Sequence, residues 1–110
     1  MPTILTSSSL VDVANAAAWA IAFVTVVTAG TPVQGPVVSN PINSEILIYA
    51  PRSNGNKRLF VATSSANALV ANSRIELRAG ESLSLKIDNA NLLWFDASAA
   101  ATIAQIITEG

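Results

Sequence analysis

Residues 74–87, RIELRAGESLSLKI, decide how this chain folds. Two alternating tracts flank a short turn, Ala79-Gly80-Glu81. In the first, Ile75 and Leu77 share one face and Arg74, Glu76 and Arg78 the other. In the second, Leu83, Leu85 and Ile87 share a face. A side-chain period of two is that of a strand with one face buried and one wet, so the stretch reads as two strands joined by a turn.

Working outward, the same grammar repeats. Downstream, Asp88-Asn89-Ala90-Asn91 is a turn, residues 92–96 (LLWFD) a strand, residues 97–101 a small-residue link and residues 102–108 (TIAQIIT) a last strand. Upstream, residues 45–50 (EILIYA) form a strand stopped by Pro51. Residues 52–57 contain Asn54-Gly55, a strong hairpin signal, with residues 58–63 (RLFVAT) as the returning partner. Residues 64–72 read as a loop carrying Leu69 and Val70. Residues 20–28 are a near-continuous apolar run ending at Gly30, as in a strand covered on both faces. Pro32-Val33-Gln34 then resumes the chain. Gly35-Pro36 and Asn40-Pro41 confine Val37 and Val38 to an edge strand or extended loop. The fold class expected is all-β: a single-domain β-sandwich or jelly roll of seven or eight short antiparallel strands. Residues 1–22 form an N-terminal arm and residues 23–110 the sandwich.

The composition indicates where such a domain would be used. In 110 residues, 51% are hydrophobic and 12% charged, against roughly 25% charged in ordinary globular chains. The charges are also unevenly placed. Asp12 is alone in the first 44 residues, and the other twelve lie between Glu45 and Glu109. A charge-poor segment of that length reads as one that lies against protein. Its candidate interface side chains are Leu10, Val11, Val13, Trp19, Ile21 and Phe23. Residues 10–19 fit either a short helix, with Ser9 as N-cap, or an extended segment.

A membrane span is not expected. Residues 13–29 are uncharged, but they are short for a span of about 20 residues. No Lys or Arg flanks them, and residues 23–28 (FVTVVT) are β-branched in the manner of a strand. The formal charge of −1 gives no basic field for nucleic acid.

Catalytic chemistry finds little material. With no His and no Cys, the commonest general base, metal ligand and thiol nucleophile are all missing. A Ser84–Lys86 pair can be written down, but it reads as a solvated pair on a sheet face. Asp88 and Asp96 flank one expected hairpin like a glycosidase pair, yet turn carboxylates bonding their own backbone account for both. Asp88, Asn89, Asn91 and Asp96 are oxygen donors of the kind calcium takes, without a calcium-loop spacing. Arg52, Lys57 and Arg58 read as a solubilising hairpin tip, and Trp94, within four apolar residues, as core. No catalytic, cofactor or metal residue is assigned, and no enzyme activity is expected.

Three stretches in order carry a resemblance. Residues 26–34 (VVTAGTPVQ), 79–91 (AGESLSLKIDNAN) and 92–98 (LLWFDAS) resemble a recurrent small β-domain of tailed-bacteriophage virion proteins. There a T-x-G-T-P-V-Q strand opens the domain, a Gly-Glu-Ser turn feeds an alternating strand ending in Asp-Asn-x-Asn, and an aromatic strand closes in Asp-Ala-Ser. The similarity covers about residues 24–110; the long Ala-rich N-terminus departs from the pattern. The resemblance implies a structural virion role, foremost a capsid decoration or cement protein on the capsid surface. Its partners would be the major capsid protein and copies of itself, as homotrimer or homodimer. A tail, neck or fibre component and a carbohydrate- or cell-surface-binding module are the alternatives.

Overall fold

The computed structural model describes residues 20–40 and 44–108. Eight strands form two four-stranded sheets. The first contains β1 (Ala20–Val26), β3 (Ile46–Tyr49), β6 (Ser82–Leu85) and β8 (Thr102–Thr108), in the order β1-β8-β3-β6. The second contains β2 (Val33–Gln34), β4 (Leu59–Ala62), β5 (Ile75–Leu77) and β7 (Trp94–Ala97), in the order β2-β7-β4-β5. All pairings are antiparallel. Every connection except β4–β5 carries the chain across to the other sheet, which is jelly-roll connectivity. The all-β sandwich expected from the alternating tracts is therefore the fold.

Alternation does what the sequence reading requires of it. Val24, Val26, Ile46, Ile48, Ala104 and Ile106 point inward from the first sheet. They meet Leu59, Val61, Leu77, Leu93 and Phe95 from the second, all buried in one cluster. Leu83, Leu85 and Ile87 pack against that cluster half-buried. Ile75 departs from its pattern: it is 46% exposed, because β5 is an edge strand only three residues long.

Asn54-Gly55 does not make a hairpin. β3 and β4 lie in different sheets, and the segment between them is a corner with a 3₁₀ turn at Arg52–Asn54. The Asn54 side chain explains why. Buried at 2% exposure, its amide donates to the Ile103 carbonyl (2.8 Å) and its Oδ1 accepts from the Ile103 N–H (2.9 Å). It copies a strand neighbour and ties the corner to β8, while Gly55 takes the positive φ the corner needs.

The link between β4 and β5 is also more structured than a loop. Ser64 caps a single helical turn, α1 (Ser65–Ala68), its Oγ accepting from the Asn67 N–H at 3.1 Å. Arg74 then places its guanidinium 3.5 Å from the Phe60 ring centroid and donates to the Ala68 carbonyl at 2.9 Å. These contacts hold the link against the outside of the second sheet, where α1 packs on β4 and β7.

At its start, β1 takes in Ala20, Ile21 and Ala22, which the sequence reading counts with the arm. The remaining arm residues, Leu10, Val11, Val13 and Trp19 among them, lie outside the described residues. So does the helix-or-extended question for residues 10–19. Among the described residues no helix is long and apolar enough to cross a membrane.

Candidate interaction face

The two outer faces of the sandwich differ in chemistry. On the second sheet, β4 buries all four of its residues, since α1 and Arg74 cover its outer side. The rest of that face is mixed: half-buried Trp94 lies on it, and the link through α1 exposes Leu69 and Val70. Beside them Glu76 stands 3.6 Å from both Arg58 and Arg78, which flank it on an exposed surface. This side carries charge and a helical turn over its strands.

Among the described residues the first sheet has no such cover. Its outward positions follow from the register. One row reads Ile21, Ile107, Leu47 and Ser84 across β1, β8, β3 and β6. The next reads Phe23, Gln105, Tyr49 and Ser82, and Ile103 lies opposite Thr25 in a third. None of these positions carries a charge. Ile21 is 52% and Phe23 61% exposed, and the flanking Val27 is exposed too. The run at residues 20–28 is thus covered on one face only, contrary to the sequence expectation.

Several large apolar side chains in adjacent rows on an uncharged sheet face form a contiguous patch of the kind that marks a contact surface. Ile21 and Phe23, named from the charge-poor N-terminal third, are both on it. Leu47, Tyr49, Ile103 and Ile107 share this face and were not singled out from the sequence. The signal was present: ILIY and TIAQII place apolar residues at both parities, so a strand with one wet face cannot hide them all. Covering Phe23 or Ile21 would contribute on the order of 1 kcal/mol each, as each is already partly shielded.

Two of the candidate polar groups, Asp96 and Asn89, hold backbone in place. Asp96 is buried on β7, and its Oδ1 accepts the Gly30 N–H at 2.9 Å. Asp88 is exposed past the end of β6, so the two carboxylates do not flank one hairpin; β6 and β7 are in different sheets. Asn89 Oδ1 accepts from the backbone of Val38 and Asn91, each at 3.1 Å. Among the described residues no cluster of three or more acidic, His or Cys side chains is placed to hold a metal ion. Ser84 lies on the uncharged face and Lys86 is exposed beyond its strand.

The basic residues sit around a groove lined by Gly55, Asn56, Lys57, Arg58 and Arg78. Lys57 Nζ donates to the Ala100 and Ala101 carbonyls at 3.3 Å, and Arg58 shares Glu76 with Arg78. Lys57 thus ties the corner to the turn before β8, while the two arginines share a carboxylate on β5. Trp94 is half-buried on the outer side of β7; Phe95 takes the core position that the sequence reading gives to Trp94.

Parts of the stretches that carry the resemblance meet along β7. Gly30 bonds Asp96, Val33-Gln34 pairs with Trp94-Phe95, and the Gln34 amide donates to the Asn91 carbonyl at 2.8 Å. The Gly35 N–H donates to the Leu93 carbonyl, and a Cβ at Gly35 would stand 2.2 Å from the Ala90 carbonyl oxygen. These residues build the fold. Compared with family models, curated proteins and solved structures, the chain matches none.

Proposed function

We propose that this chain is a structural interaction protein of a tailed-bacteriophage virion, acting as a capsid decoration protein that stabilises the assembled head. The observation that carries the reading is the uncharged, apolar outer face of the β1-β8-β3-β6 sheet, beside a second sheet whose outer side carries α1 and the Arg58–Glu76–Arg78 group. A shell-binding protein needs one large face that prefers protein to water and needs no catalytic group. The ordered motif set in residues 26–98 supplies the virion context by resemblance. Jelly-roll connectivity is shared with viral capsid domains and also with lectins and cupins, so the fold supports the reading by analogy alone.

The mechanism is mass action. A chain whose contact surface spans neighbouring capsomers binds the assembled lattice and not the free subunits, and that difference in affinity stabilises the shell. Locating the chain by cryo-electron microscopy in purified virions that encode it tests this. Copies arrayed on the head lattice are expected. Absence from the particle, or density confined to the tail, neck or fibres, overturns the decoration role.

A further inference from the structure

We propose that β1 is a self-pairing edge, through which two copies of the chain join antiparallel about a two-fold axis at Phe23 into one eight-stranded sheet. The proposal rests on the reading of the first sheet as a contact surface and names one neighbour it takes.

The sandwich has four edge strands, β1 and β6 in one sheet, β2 and β5 in the other. Native sheets blunt such edges with charge, proline or shortness. β5 has three residues, includes Glu76 and is flanked by Arg74 and Arg78. β2 has two residues and runs into Gly35-Pro36. β6 has four and is followed by the exposed Lys86. β1 has seven residues, AIAFVTV, with no charge, proline or glycine. It is the only one of these four described edges with none of these devices, and it exposes Phe23 and Ile21 along a side that no other described strand pairs.

A second copy of the chain fits this edge. Self-pairing meets no like-charge opposition, because β1 is uncharged. Directly opposed residues of an antiparallel pair share a face. A two-fold centred on the middle residue sets Phe23 against Phe23, Ile21 against Thr25 and Ala20 against Val26. The apolar outer faces of the two copies then merge, and Val24 of each continues the inner layer.

The chain's lack of cysteine makes the test direct. Sedimentation equilibrium of the full chain is expected to show a dimer. The Phe23→Cys chain is expected to form a disulfide-linked dimer on mild oxidation. Ile21→Cys alone is not, because its counterpart is offset by four residues, about 13 Å; mixed with Thr25→Cys it is expected to cross-link. Phe23→Lys places like charges on the axis and is expected to weaken dimerisation at least tenfold, with unchanged far-ultraviolet circular dichroism. A monomer at every concentration overturns the proposal, as does a dimer that fails to cross-link at Phe23 and survives Phe23→Lys. No virion enters this experiment. A dimer that is absent from particles sinks the decoration role alone, and a monomer found on the head lattice sinks the pairing alone.

Discussion

At Asn54 a single side chain replaces a stretch of backbone ladder. Both of its hydrogen bonds go to Ile103, so removing it strands a donor and an acceptor in a buried corner. Asn54→Ala is expected to destabilise the fold by about 2–4 kcal/mol, measured by urea unfolding, since each orphaned buried group costs roughly 1–3 kcal/mol. A loss under about 0.5 kcal/mol would mean that water satisfies Ile103 without it. Ala101 shows the opposite case. It holds φ +63° in the turn before β8, where its N–H donates to the Val26 carbonyl. A Cβ is unfavourable there, and Ala101→Gly is expected to stabilise the domain by about 0.5–1 kcal/mol by the same assay.

Among the elements, the link between β4 and β5 depends on Arg74. Its cation–π contact with Phe60 and its bond to Ala68 together are worth about 1–2 kcal/mol. Arg74→Met is expected to lose about that amount in urea and to speed amide exchange in α1 more than in β8. Equal exchange in both would show that the link does not rely on Arg74.

Strands were legible in the sequence because alternation marks a half-wet sheet directly, and residues 74–78 and 82–87 show it plainly. Their assignment to sheets was not. Alternation says which side chains turn inward, but not which sheet carries them, and Asn54-Gly55 has the same residues whether it closes a hairpin or turns a corner. α1 escaped because one helical turn of small residues has no apolar period. The uncharged outer face was half legible: charge poverty pointed to Ile21 and Phe23, while an apolar run such as AIAFVTV reads the same whether its second face is buried by the chain or exposed.

For the molecule as a whole, the sandwich divides its labour between two sides. The second sheet carries α1, Arg74 and the Arg58–Glu76–Arg78 group on its outer side, while the first has rows of Ile, Leu, Phe and Tyr without charge. The central claim is that this uncharged face is where the chain meets its neighbours. A pair of single-residue variants tests it most directly: occupancy on virions of the Ile107→Lys chain against the Ile75→Lys chain, both confirmed folded by thermal unfolding. Ile107 sits in the middle of the apolar face, between Ile21 and Leu47, whereas Ile75 is an exposed apolar residue on the far sheet's edge. Occupancy is expected to fall at least tenfold for Ile107→Lys and to stay near wild type for Ile75→Lys; equal occupancy of the two, or loss with Ile75→Lys alone, would contradict the claim.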